Sequence, residues 1–95
     1  MADNHWQVRL SKKADKGAAK LPKPVRANLA ALMKQIEMQG PVRGDWPNYS
    51  KPGPNLHHCH LKKGQPSYVA VWEEIATEIR LVEVTYAGTH EKAPY

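Results

Sequence analysis

Cysteine is nearly absent. Cys59 alone cannot build an internal disulfide framework, so a reducing compartment, the cytoplasm, is expected. No apolar run approaches the roughly 20 residues that a bilayer span requires. The opening MADNHWQVRL has no apolar signal-peptide core, so neither secretion nor membrane insertion is expected. Acidic residues are few: nine Asp+Glu face fourteen Lys+Arg, a formal charge of +5 with five histidines able to add to it. No internal repeat or low-complexity segment interrupts the chain. At 95 residues, one compact domain spanning residues 1–95 is expected, with a modest core.

A small cationic domain suits an anionic partner such as nucleic acid, the ribosome or an acidic protein. Charge does not choose among these, and lysines that merely face water would look the same.

Local patterns give the fold class. In residues 5–10, Trp6, Val8 and Leu10 alternate with His5, Gln7 and Arg9, the period of a half-buried strand. Ser11 then caps a short basic helix over residues 11–20, weakened by Gly17. Leu21-Pro22-Lys23-Pro24 interrupts it, because proline lacks an amide donor and restrains the residue before it. Pro24 suits the first turn of a second helix, whose apolar stripe of Val25, Leu29, Leu32 and Ile36 ends at Gly40-Pro41. Residues 40–55 hold four prolines and three glycines and predict an irregular loop, pinned by Trp46 and Tyr49. Three strands follow, over residues 56–63, 67–73 and 78–86, joined by short turns as an antiparallel meander. The order predicts an α+β domain whose helices cover one face of a mostly antiparallel sheet.

The stretch Leu56-His57-His58-Cys59-His60-Leu61-Lys62-Lys63 concentrates reactive side chains. Alternation places His58, His60 and Lys62 on one face and His57, Cys59 and Leu61 on the other. Cys59 and Leu61 belong with the helices, so the His/His/Lys row is expected on the open face. The tail, residues 88–95, adds His90, Glu91, Lys92 and Tyr95. Together these groups match the needs of metal-free RNA cleavage. A base takes the 2′-hydroxyl proton, cations neutralise the phosphorane-like state, and an acid protonates the departing 5′-oxygen. Histidine exchanges protons near neutral pH, and tyrosine stacks on a base or donates a proton. Three other readings fit the same residues: a zinc or nickel site shared by His58 and His60, a passive anion-binding surface, and a Cys59 nucleophile. The inward direction of Cys59 argues against the last.

With these elements in this order, the chain resembles the RelE/ParE superfamily of bacterial toxins. The likeness runs from the opening strand and the helical hairpin around Leu21-Pro22-Lys23-Pro24-Val25 to the tail Tyr86-Ala87-Gly88-Thr89-His90-Glu91-Lys92-Ala93-Pro94-Tyr95. It implies a microbial-ribonuclease-like sheet and a metal-independent endoribonuclease that cuts mRNA, often on the ribosome, without a cofactor. By position it implies that His58 and His60 supply the base and charge stabilisation, with Lys62 continuing the row. His90 or Lys92 then stands for the basic residue of the tail, and Tyr95 for the tyrosine that stacks on the target base. The division of acid and base among the histidines stays open. RelE members carry an arginine early on the next strand, where this chain has Tyr68-Val69. The resemblance further implies a cognate antitoxin protein. ParE-type members share the fold but inhibit DNA gyrase, the alternative function for this chain. Two histidines on one strand face plus His90 favour the nuclease branch, since a gyrase inhibitor needs no proton-transfer groups.

Overall fold

A computed structural model of the protein describes residues 5–94. The chain runs β1 (Gln7–Leu10), α1 (Lys12–Ala19), α2 (Lys23–Gln39), β2 (Ser50–Gly53), β3 (Leu56–Lys62), β4 (Tyr68–Ala76) and β5 (Leu81–Thr89). Short 3₁₀ turns at Thr77–Ile79 and His90–Lys92 follow β4 and β5. The strands form one five-stranded sheet in the order β1-β5-β4-β3-β2. This is the α+β arrangement that the sequence pattern predicts. The β3-β4-β5 meander is antiparallel throughout.

Both helices form for the expected reasons. The Ser11 hydroxyl accepts the Ala14 amide at 3.0 Å, capping α1. Proline in the first turn starts α2, and Gly40, at φ 96°, ends it in a conformation that only glycine adopts without strain. Val25, Leu29, Leu32 and Ile36 are all buried, and each contributes about 1.5–3 kcal/mol by leaving water. They pack on Cys59, Leu61, Ala70, Trp72, Val82 and Val84 of the sheet. The Trp72 ring is fully buried, and its indole N–H donates to the Pro41 carbonyl at 2.9 Å.

Two expectations are corrected, and the pairing of β1 adds a detail that the sequence pattern does not address. The proline-rich loop contains an additional strand, β2, which pairs with β3 despite Pro52. As the outermost strand it tolerates a missing amide donor, because among the described residues nothing pairs with its outer edge. β1 pairs parallel to β5, with the Arg9 guanidinium donating to Glu83 directly opposite at 2.9 Å. The last two strands also sit later than expected. β4 continues to Ala76, and the turn falls at residues 77–80, where Arg80 adopts a left-handed conformation. Ile79 therefore lies outside the sheet and is 60% exposed.

Candidate functional site

Alternation along β3 delivers its side chains to two unlike environments. His57, Cys59 and Leu61 are buried toward the helices. The ring of His57 stacks on Trp72 at 5.6 Å between centroids, with a 7° angle between planes. Its Nδ1 lies 2.6 Å from the Tyr49 hydroxyl and its Nε2 2.6 Å from Glu74. Burial holds its pKa below the ordinary value even though the Glu74 carboxylate pulls the other way. The consistent arrangement is a neutral ring that accepts from Tyr49 and donates to Glu74. Cys59 is fully buried on the same face, and burial pushes its thiol up to about 12. It is a small core residue and no nucleophile.

The opposite face gathers the other histidines of β3. His58 pairs with Val71 and His60 with Val69, and both point away from the helices beside a small apolar patch of Val69, Val71 and Tyr86. The Ser50 hydroxyl on β2 lies 3.2 Å from His58 Nδ1. At the far end of β5 the chain turns through residues 90–92, tied by the His90 amide to the Ser67 carbonyl at 3.0 Å. This turn brings the His90 ring over the histidines of β3. Its centroid lies 5.4 Å from that of His60 and 6.4 Å from that of His58, which are themselves 5.4 Å apart. Residues 58, 60 and 90 thus close a triangle of imidazoles.

Burial and crowding act on two of these rings. Burial is the main cause that lowers the His58 pKa, and the neighbouring His60 and His90 add to it. His60 is lowered by burial, by His90 and by Lys63. Both imidazoles are therefore biased toward the neutral form, able to accept a proton. One ligand atom from each of the three rings lies within 4.8 Å of the others, the spacing of a set able to converge on a metal ion. Among the described residues no other trio of histidine, cysteine or carboxylate groups does so.

The remaining expected residues fare differently. A bulge between His60 and Lys62 pairs Lys62 with Tyr68, one residue along from the Val69 that faces His60. Directly paired residues share a face and adjacent residues do not, so Lys62 drops out of the histidine row. It is exposed. Lys63, which the sequence pattern does not single out, is the lysine whose charge reaches His60. Lys92 lines a neighbouring cleft of about 580 Å³ together with Lys13, Lys16, Lys20, Tyr68 and Tyr86. Tyr95 lies outside the described residues. The sequence pattern does not single out Ser50, Lys13, Lys16 or Lys20 either. The lysines do carry a signal, since positions 13, 16 and 20 fall on one helical face, whereas Ser50 becomes visible only through the β2–β3 register.

This geometry can be set beside solved structures. The chain superimposes on the E. coli toxin RelE, a doubly substituted mutant in the free state, with a TM-score of 0.71. The two are 19% identical over 94% of this chain and 87% of that one. The fold is that of RelE. Two further structures share it. One is an archaeal RelE-RelB complex from Pyrococcus horikoshii OT3 (TM-score 0.62, 12% identity, 94% of this chain and 99% of that chain). The other is a metal-bound toxin from Helicobacter pylori (TM-score 0.63, 18% identity, 92% and 97%). No family model and no curated protein matches the chain. The RelE fold thus survives where sequence identity has fallen to a fifth or less, while the imidazole triangle is read from this chain's own residues.

Proposed function

We propose that the protein is the toxin of a toxin–antitoxin pair and cleaves mRNA by attack of the RNA's own 2′-hydroxyl on the adjacent phosphate. The observation that carries this reading is the triangle of His58, His60 and His90 on the open sheet face, with centroids 5.4 to 6.4 Å apart. In-line cleavage needs a base on one side of the phosphate and an acid on the other. His58 and His60, biased to the neutral form, suit the base. His90, exposed on the turn after β5, suits the acid that protonates the 5′-oxygen. Lys63, with Lys92 at the rim, neutralises charge that builds on the phosphate, and Tyr95 stacks on the base beside the cut.

The same field works in the substrate's favour. Positive charge is disfavoured on His58 and His60 by burial first and by their cationisable neighbours second. An RNA phosphate offsets that penalty by supplying the opposite charge. The likeness to RelE toxins and to an archaeal RelE-RelB complex supports both the toxin assignment and a proteinaceous antitoxin as partner.

Purified protein is incubated with ribosomes translating a defined mRNA, and new 5′-ends are mapped in the presence of chelator. Wild type produces discrete cuts. His60→Ala and His90→Ala each slow them by at least about 100-fold, the usual scale for losing a general acid or base. Intact mRNA together with trapped gyrase–DNA complexes would transfer the protein to the gyrase-inhibiting class.

A further inference from the structure

We propose that the imidazoles of His58, His60 and His90 form a binding site for one zinc-class divalent ion, and that the bound ion locks the open sheet face against RNA. Binding stands on the geometry alone; the lock rests on the cleavage reading above. One ligand atom from each ring lies within 4.8 Å of the other two. At a metal–nitrogen distance of about 2.0–2.1 Å, tetrahedral ligands stand roughly 3.4 Å apart, so the rings close by about an ångström and a half at most. His90 is the exposed ring of the three, on the turn after β5, while β3 carries the other two.

Three features distinguish this set from a chance grouping of histidines. The rings come from two elements that the sheet register fixes, positions 58 and 60 on β3 and position 90 beyond β5. The Ser50 hydroxyl engages His58 Nδ1 at 3.2 Å, an outer hydrogen bond of the kind that orients a metal-bound imidazole and leaves Nε2 to the ion. His60 Nδ1 is buried with no hydrogen-bond partner among the described residues. Donor chemistry selects the metal. Three neutral nitrogens without a carboxylate suit zinc, nickel or copper, and do not suit magnesium or calcium, which require oxygen ligands. The fourth position is left to water or an anion. Cys59 contributes nothing, because it points to the helix face.

The functional consequence follows from lone pairs. Each imidazole that binds the ion gives up the nitrogen it needs for proton transfer, so one ion removes base and acid together. Metal and scissile phosphate then compete for one place.

Zinc is titrated into the full chain against a chromophoric chelator, with magnesium as the comparison ion and circular dichroism as a check on folding. One equivalent of zinc binds with micromolar or tighter affinity, and magnesium does not bind. His90→Ala, on the exposed turn, weakens binding at least tenfold, as does His60→Ala. Ser50→Ala weakens it about tenfold, and Cys59→Ser leaves it unchanged. In a second arm, stoichiometric zinc stops RNA cleavage and EDTA restores it. No stoichiometric binding, or binding unaltered in both folded histidine variants, overturns the site. Cleavage that persists or accelerates with zinc bound overturns the lock. A chain that binds zinc through these histidines but cuts no RNA under any condition sinks the nuclease reading and leaves the site standing.

Discussion

His57 and His58 are sequence neighbours with opposite uses, and the side of the strand decides between them. His57 is fully buried, stacked on Trp72 and bonded at both nitrogens, so its role is to hold β2's approach, β3 and β4 together. Tyr49→Phe removes the hydroxyl and leaves a buried imidazole nitrogen without its donor, a loss of about 1–3 kcal/mol in unfolding free energy measured by urea denaturation. An unchanged midpoint would mean that the Tyr49 hydroxyl does not serve His57. The buried ring also makes stability depend on pH. Its folded pKa lies below the ordinary 6.5, so the unfolded chain takes up that proton first as pH falls. The stabilisation is complete above pH 6.5 and is lost as the pH drops through the window between 6.5 and the folded value. His58 and His60, both lowered, contribute with the same sign. Thermal melting at pH 7.5 and 5.5 should show a lower midpoint at the acid pH, and a flat or rising profile would refute this account.

At the scale of elements, Gly17 separates propensity from packing. In isolation it weakens α1, and alanine there would raise helix propensity by about 1 kcal/mol. In the fold, a Cβ at Gly17 would lie 2.2 Å from the Ala87 carbonyl oxygen on β5, a backbone atom that cannot step aside. Gly17→Ala therefore destabilises by about 1–3 kcal/mol through displacement of the helix from the sheet. Gly44→Ala, with nothing within 4 Å of the new methyl, should stay within about 0.5 kcal/mol of wild type in the same denaturation assay. The contrast marks what a sequence makes legible. Periodicity revealed α2, whose stripe of Val25, Leu29, Leu32 and Ile36 is buried, and alternation put His58 and His60 on the open face. Both signals are local. The close passage of α1 over β5, the parallel β1–β5 pair and the short β2 depend on which segments meet, which no local period encodes. Lys62 shows the same limit within one strand. A single bulge resets the alternation after His60, and Lys63 becomes the charge that His60 feels.

At the scale of the whole molecule, a cleft lined by lysines adjoins the triangle. Lys13, Lys16 and Lys20 project from α1 beside Lys92 into a cleft that includes Gly88 and Thr89, the residues leading directly into His90. Lys13 also lies over the Tyr86 ring, 5.8 Å from its centroid. Under the proposed function, a strand of RNA whose scissile phosphate sat among the histidines would lay its neighbouring phosphates along α1. The cleft lysines would then hold RNA while the imidazoles move protons, and that division of labour predicts separable effects. Replacing Lys13, Lys16 and Lys20 together by alanine keeps a good helix former at each position. RNA binding should weaken, and its salt dependence should flatten by about 0.7 in the log–log slope for each phosphate contact removed. Cleavage at saturating RNA should keep its rate, so KM rises while kcat holds. Two measurements decide it: RNA affinity across a salt series and single-turnover cleavage by the same variant. An unaltered slope would place the RNA elsewhere on the surface, and a fall in kcat at constant KM would mean that α1 shapes the reacting centre itself.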